Sequence, residues 1–112
     1  MKKKIYHIIK KYFLAFEKKK ISVLESLFEE TIILHDWNNF ITGRSKVVTF
    51  NKKIFSKFKN IKIRIKNIFF SKNSLTAACM IDVVLNKKNI KVIDVIYFNK
   101  KMKIEKIQAY KL

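Results

Sequence analysis

The sequence predicts an α+β domain in which three helices from the N-terminal half pack on one face of an antiparallel sheet. Two observations predict this class. Apolar residues recur at helical spacing in three segments of the first half, and four strand-like segments then follow one another to the C-terminus. The chain has 112 residues, one Gly and no Pro, and no linker or repeat divides it. This length predicts a single domain over residues 1–112.

Three segments carry the helical pattern. The first helix is predicted over residues 5–16, where lysines fill the face opposite the apolar one. Ser22 and Glu25 match a capping box at the start of a short second helix. The third helix is predicted to open at Gly43 and to run to about Phe58. The apolar positions that define the three buried sides are Ile5, Ile8, Ile9, Tyr12, Phe13, Phe16, Val23, Leu24, Leu27, Phe28, Val47, Phe50, Ile54 and Phe58.

Strand patterns occupy most of the remaining chain. A β-branched apolar run predicts a strand over residues 31–37, ended by Asn38 and Asn39. Alternation of isoleucine with basic residues from Ile61 to Lys66 predicts the next strand. Three more strands are predicted at about 75–85, 90–98 and 103–110. Asparagines stand in the segments between these strands, where their tolerance of left-handed backbone replaces that of glycine.

The strand over residues 90–98 is apolar on both sides. One side presents Ile90, Val92, Asp94, Ile96 and Phe98, and the other presents Lys91, Ile93, Val95 and Tyr97. If the helices cover the first side, the second side still needs a cover. We therefore expect a homodimer formed through the outer face of the sheet.

The formal net charge of +18 allows binding to polyanions as one alternative, but it does not predict a specific nucleic-acid reader. Only Arg44 and Arg64 are arginines among the 26 basic residues, and the lysines are spread along the whole chain. The single cysteine, Cys79, excludes an intrachain disulfide and a zinc site built from cysteines. No apolar run reaches the length of a membrane-spanning helix, and no cleavable signal is recognised, so we expect a cytoplasmic protein that does not bind membranes.

Three residues are candidates for chemistry because they interrupt apolar surfaces. Tyr12 lies in the apolar stripe of the first helix, and Asp36 and Asp94 each share a strand face with apolar neighbours. A carboxyl group in such surroundings should have a raised pKa unless a partner compensates. Each residue also has an ordinary structural interpretation: a core tyrosine bonded to a carbonyl, an aspartate that organises the Asn38–Asn39 turn, and an aspartate paired with a lysine.

The order of these motifs resembles the nuclear transport factor 2-like superfamily, which includes the SnoaL-like polyketide cyclases and the ketosteroid isomerases. The resemblance lies in Lys11–Phe16, Ile21–Phe28, Ile33–Asp36 and the helix opened by Gly43–Arg44, and it continues in Val92–Phe98, Lys103–Glu105 and Ala109–Tyr110. It implies a cone-shaped, cystatin-like roll: three helices against a strongly curved sheet, with an apolar pocket between them. It also implies a dimer.

The same resemblance implies roles for the three candidates. Asp36 would remove a proton next to a carbonyl group, while Tyr12 and a protonated Asp94 would donate hydrogen bonds to the enolate oxygen. Phe16, Trp37 and Phe40 are the candidate pocket walls. We expect a small apolar molecule as the ligand, with no metal and no cofactor. The alternatives are a non-catalytic ligand-binding or dimerisation module and a polyanion-binding protein.

Overall fold

Three helices lie where the apolar spacing predicts them. The computed structural model describes residues 2–112, with α1 at Lys2–Glu17, α2 at Ile21–Leu27 and α3 at Arg44–Lys57. Lysine is a good helix former, so α1 extends through the lysines that precede its apolar stripe. Gly43 stands immediately before α3 with a φ of 97°, a backbone region that favours glycine. The prediction that Gly43 opens the third helix is therefore confirmed.

The predicted capping box is wrong. The helix α2 begins at Ile21, so Ser22 lies inside its first turn, and no side chain caps this end. The reason is the abrupt end of α1. Lys19 adopts a left-handed φ of 58°, and the N–H of Lys20 donates to the carbonyl of Ala15 at 2.8 Å. Because this motif closes α1 and ends at Lys20, α2 begins at the next residue, Ile21. Ser22 therefore lies inside α2 and cannot occupy the capping position before it.

Lys19, between α1 and α2, also contacts the end of α3. Its ammonium group donates to the carbonyls of Phe55, Phe58 and Lys59 at 2.9, 2.7 and 3.1 Å. Phe55 lies in the last turn of α3, and Phe58 and Lys59 directly follow it, so the ammonium group stands at the C-terminal end of the helix, where the helix dipole favours a cation. The contact fixes the junction of the first two helices against the third, and the helices form one layer over the sheet.

Within residues 2–112, six strands form one sheet. They are β1 at Phe28–His35, β2 at Phe40–Thr42, β3 at Ile61–Phe70, β4 at Thr76–Leu85, β5 at Lys88–Phe98 and β6 at Ile104–Lys111. The sheet order is β2-β1-β6-β5-β4-β3, and only the β1–β6 pair is parallel. The predicted meander of four C-terminal strands is confirmed. The predicted strand over 31–37 instead begins at Phe28 and ends at His35, and β2 is an element that the sequence pattern did not indicate.

The sheet curls because its register shifts in three places. The shifts lie between Phe28 and Ile33, between Ile65 and Asn67, and between Tyr97 and Phe98. Such irregularities bend a strand and increase its twist. The predicted α+β class, with three helices on a curved and mainly antiparallel sheet, is confirmed by this arrangement.

The prediction that asparagines take the left-handed turn positions holds for one turn of three. Asn86, between β4 and β5, has a φ of 57°. In the turn before β6 the left-handed residue is Met102, while the side-chain oxygen of Asn99 accepts hydrogen bonds from the N–H groups of Lys101 and Lys103. An asparagine side chain can stabilise a turn in either way.

The two sides of β5 separate as the alternation predicts. Val92, Asp94, Ile96 and Phe98 are buried beneath the helices, whereas Ile93, Val95 and Tyr97 on the other side are half-buried. The core is one apolar cluster that joins α1, α2, α3 and the inner side of the sheet. No helix within residues 2–112 combines the length and apolar character needed to cross a membrane.

Candidate functional site

A cavity of about 180 Å³ lies between the helical layer and the inner side of the sheet. Residues from α1, α3 and five of the strands or their ends line it, and all are apolar except Tyr12, Asp36, Asn51 and Asp94. Three of these four are the residues that the sequence singled out. The structure thus brings together two acids and a phenol from three distant stretches of the chain.

Tyr12 reaches the cavity from the middle of α1. It is 6% exposed, and its ring packs against Phe13, Phe16 and Phe28 with centroid distances of 5.1, 6.3 and 6.1 Å. Burial raises the pKa of its hydroxyl well above 10, and the nearby Asp94 and Cys79 raise it further. Because the phenol keeps its proton, Tyr12 can act in the cavity as a hydrogen-bond donor.

Asp94 lies on the inner side of β5, between Cys79 of β4 and Ala109 of β6. Neither neighbour is a cation. Burial raises the pKa of Asp94 from 3.8 to about 7, and the charge of Asp36 contributes in the same direction. A carboxyl group with this pKa carries its proton in about half of the molecules at pH 7 and in more of them below that pH, and in this form it can donate a hydrogen bond.

Asp36 follows the last residue of β1. One carboxylate oxygen, Oδ1, accepts hydrogen bonds from the backbone N–H groups of Asn38 and Asn39 at 2.8 and 2.7 Å, and from the Asn39 side chain at 3.0 Å. Within residues 2–112, the one further hydrogen bond to this carboxylate runs from the Asn39 side chain to Oδ2 and is longer, at 3.3 Å. The structure therefore shows the turn-organising role of Asp36, and the same residue also lines the cavity.

The hydroxyl of Tyr12, the carboxyl of Asp94 and the amide of Asn51 have no hydrogen-bond partner among the described residues. Yet no fully buried side-chain nitrogen or oxygen in this part of the chain lacks a partner. Both statements hold together only if these polar atoms keep accessible surface, and the space they share is the cavity. Polar groups left open in this way are available to a ligand.

Of the three residues predicted to line the pocket, two do so and one does not. Phe16 and Trp37 line the cavity, and Trp37 is 45% exposed, with the Lys111 ammonium group 5.8 Å from its ring. Phe40 lies outside the cavity and is 63% exposed. It stands opposite His35 in the β1–β2 pair, and its ring meets that of His35 at 5.1 Å. Leu34 faces the cavity, so the next residue, His35, faces the outer side of the sheet. Phe40 pairs with His35 and therefore lies on the outer face too.

Asn51 is the polar cavity residue that was not predicted from the sequence. It lies in α3, it is 3% exposed, and Val47 and Phe55 are buried four residues before and after it. This spacing places Asn51 within the buried stripe of α3. The signal that identifies it is therefore a polar residue inside an apolar helical stripe, the same signal that identified Tyr12.

The chemistry available in the cavity is that of hydrogen bonds and proton transfer. It combines a phenol that keeps its proton, an acid with a pKa of about 7, a second carboxylate and a carboxamide. Across residues 2–112, no three His, Cys, Asp or Glu side chains lie together as metal ligands would.

Comparison with known proteins identifies the fold. No protein-family model matches the sequence, and no curated protein matches it significantly. Solved structures do match. A nuclear transport factor 2-like protein of unknown function from Cytophaga hutchinsonii is 14% identical with a TM-score of 0.81, covering 96% of this chain and 89% of that one. A SnoaL-like protein of unknown function from Burkholderia thailandensis is 8% identical with a TM-score of 0.88, covering 100% and 97%.

A third match is a hypothetical protein with a ketosteroid isomerase-like fold from Catenulispora acidiphila, solved in complex with trimethylamine. It is 14% identical with a TM-score of 0.75, covering 92% of this chain and 83% of that one. Other similar structures are described as cystatin-like. These neighbours are consistent with the nuclear transport factor 2-like superfamily, so the resemblance seen in the sequence is confirmed for the fold. At such identities the comparison concerns the fold and leaves function to the residues of the cavity.

Proposed function

We propose that this chain is a SnoaL-like small-molecule-binding protein that catalyses proton transfer on a small, mainly apolar compound with a carbonyl group. The observation that carries the proposal is the shared cavity. Among the described residues that line it, Tyr12, Asp36 and Asp94 are the only acid–base side chains, and all the others except Asn51 are apolar. An apolar space with a few convergent polar groups and a perturbed pKa is the usual form of a small-molecule site.

The proposed mechanism uses the two acids in different protonation states. The ionised Asp36 removes a proton from the carbon next to the carbonyl, and the electron pair moves onto the carbonyl oxygen. Tyr12 and the protonated Asp94 donate hydrogen bonds to that oxygen and stabilise its developing charge. Burial supports this division, because it keeps protons on Tyr12 and Asp94 while Asp36 lies nearer the turn and is half-buried.

The size of the cavity supports a ligand built on a single ring. Its volume of about 180 Å³ is well below the range of about 300–1,000 Å³ that is typical of sites for drug-sized ligands. A dry protein cavity of about 150 Å³ accommodates benzene. We therefore propose ligands the size of a substituted six-membered ring, and we propose that no metal or cofactor takes part.

The test is deuterium exchange. The probe is 2-cyclohexen-1-one in D₂O, and NMR measures the loss of the protons on carbons adjacent or conjugated to the carbonyl. Asp36→Asn keeps an oxygen that can accept from Asn38 and Asn39, so the turn should persist while the base is lost. We expect the protein-dependent exchange rate to fall by a factor of about 10²–10⁴.

Asp82→Asn is the matched control, because Asp82 is a buried aspartate on the outer face. Its exchange rate should equal that of the wild type. Exchange in Asp36→Asn at the wild-type rate would exclude Asp36 as the base.

A second candidate function is a ligand-binding module without catalysis. The hydrogen bonds from the Asn38–Asn39 turn to Asp36 favour it, because they give this aspartate a complete structural role. In that case 2-cyclohexen-1-one binds and its protons do not exchange faster than in buffer. Polyanion binding has weaker support, since the lysines lie on α1, α3, β3, β5 and β6 instead of on one element.

We also propose that the chain forms a homodimer through the outer face of the sheet. Two cross-strand pairs form its centre, Ala78–Val95 and Met80–Ile93, and all four residues are half-buried. The exposed rings of Phe69 and Tyr110 continue this surface on β3 and β6. A second copy suits it because the centre carries no charge, so two identical surfaces can meet without opposing their lysines. The predicted cytoplasmic location stays a prediction.

A further inference from the structure

Within residues 2–112, the Asn51 side chain makes no hydrogen bond that would stabilise the fold. It lies in the interior of α3, away from both helix ends, so its side chain does not cap the helix. Its amide finds no hydrogen-bond partner within residues 2–112, although the residue is 3% exposed. Burying an amide without a partner lowers stability, and asparagine is also a poor helix former. An apolar residue would serve the fold better at this position.

The surroundings of Asn51 leave the cavity as the place where its amide can be satisfied. Its helix neighbours Phe50 and Ile54 line the same space, and the strands opposite present apolar side chains such as Ile63 and Val83. Because no fully buried side-chain nitrogen or oxygen in the described chain is unpartnered, the amide keeps some accessible surface, and the cavity is the space that Asn51 lines. A polar group with these properties marks the position of a polar group on a ligand.

A carboxamide offers a different contact from the other polar residues of the cavity. It can accept through its oxygen and donate through its nitrogen, without changing charge with pH. Tyr12 and the protonated Asp94 are suited to a carbonyl or enolate oxygen, which only accepts. Asn51 comes from another element, α3, and is suited to a hydroxyl or amide group on the same ligand.

We infer that Asn51 is a specificity-determining residue that binds a second polar substituent, and that the ligands are ring-sized carbonyl compounds carrying a hydroxyl or amide group. This inference rests on the proposed function, since it assigns a substrate class to the same cavity. A site built to hydrogen-bond a substituent discriminates strongly against the analogue that lacks it, because its polar group is then left unpaired.

The experiment compares two probes that differ by one hydroxyl group: 2-cyclohexen-1-one and 4-hydroxy-2-cyclohexen-1-one. Dissociation constants are measured by NMR titration with the wild type, with Asn51→Leu and with the control Phe50→Leu. We expect the wild type to prefer the hydroxylated probe by about tenfold or more. Asn51→Leu, which has a similar size and no polar atoms, should bind both probes equally. Phe50→Leu should change both affinities by the same factor and keep the preference.

A second measurement separates a ligand-binding role from a structural one. If the Asn51 amide serves only a ligand, Asn51→Leu should unfold at a higher temperature than the wild type in the absence of any probe. A lower unfolding temperature would show that the amide supports the fold, and it would overturn the inference.

The binding outcomes also distinguish this inference from the function it rests on. Equal affinity of the wild type for both probes, or a preference that survives in Asn51→Leu, overturns the role of Asn51 and leaves the carbonyl site in place. Failure of both probes to bind the wild type overturns the inference and the proposed function together.

Discussion

Asp82 and Asp94 are two aspartates with similar burial and opposite surroundings. They lie on the neighbouring strands β4 and β5, and they are 6% and 8% exposed. Asp82 belongs to the outer face, where Arg64 and Lys91 are its cross-strand neighbours and the ammonium group of Lys66 lies 3.8 Å away. Asp94 belongs to the inner face, where no cation is found among the described residues that line the cavity around it. Equal burial therefore does not give two carboxyl groups the same chemistry.

The difference follows from what each face can accommodate. A lysine on the outer face can pack its aliphatic part against the sheet and keep its ammonium group in water. Beneath the helices it has no such route, so even a chain with a net charge of +18 leaves Asp94 without a cation. The cost of burying a carboxylate charge is offset for Asp82 by nearby cations. For Asp94 this cost is avoided, because the carboxyl group keeps its proton.

The largest expected effect is a pH-dependent gain in stability in Asp94→Asn. Because the pKa of Asp94 rises from 3.8 in the unfolded chain to about 7 in the folded one, the unfolded chain releases this proton first as the pH rises. The free energy of unfolding of the wild type therefore falls between about pH 4 and pH 7 by as much as about 4 kcal/mol. Asparagine does not titrate, so Asp94→Asn should exceed the wild type by up to that amount at pH 8.

Urea denaturation at pH 4, 6 and 8 checks this prediction. The two proteins should be close in stability at pH 4, which is near the unfolded-state pKa of 3.8 and well below the folded-state pKa of about 7, and they should diverge as the pH rises. A constant difference at all three pH values would show that Asp94 is not buried as a protonated acid.

The next largest effect concerns the outer face. Val95→Glu places a charge at the centre of the proposed dimer interface, where it would have to be buried without a partner. We expect the dimer dissociation constant to increase by about tenfold or more, with little change in the fold of each subunit. Sedimentation velocity over a range of protein concentrations measures it.

Asn73→Glu is the control for that prediction, because it adds the same charge in the exposed turn between β3 and β4. Its dissociation constant should stay near that of the wild type. A wild-type protein that sediments as a monomer at every concentration would contradict the proposed interface.

The smallest effect is expected in Asp82→Asn, and its sign is opposite to that in Asp94→Asn. Removing the outer carboxylate leaves Arg64, Lys66 and Lys91 without their counter-charge, so the free energy of unfolding at pH 7 should fall by about 1 kcal/mol or less. Lys66 is largely exposed, so salt should screen the contact. The difference from the wild type should shrink in about 1 M NaCl. A gain in stability at low salt would remove the contrast between the two faces.

Part of the candidate site could be predicted from periodicity alone. Tyr12 and Asp94 interrupt apolar patterns, and a helix or strand places every residue of such a pattern on one side. The position of Asp36 followed from the same reasoning, although β1 ends one residue before it. Phe40 was wrongly predicted to line the pocket, because no sequence pattern indicated β2. In this three-residue strand, only the pairing of Phe40 with His35 determines which face of the sheet Phe40 lies on.

Two further features could not be predicted because they depend on distant segments. The Ser22–Glu25 pattern matches a capping box, but the left-handed Lys19 starts α2 too early for Ser22 to cap it, and Lys19 is stabilised by carbonyls about forty residues away. The sequence pattern places Asn51 among the apolar residues on one side of α3. It cannot show that the fold brings no hydrogen-bond partner to the Asn51 amide.

The amino-acid order by itself determined the α+β class, the succession of helices and strands, and the side of each element on which Tyr12 and Asp94 lie. These features depend on local periodicity, which neighbouring residues express without help from the rest of the chain. The tertiary structure decided what each side chain meets there: a cation for Asp82, none for Asp94, a turn for Asp36 and open space for Asn51. The physical reason is that a pKa and a hydrogen bond depend on atoms brought close by the fold, and those atoms come from segments far apart in the sequence.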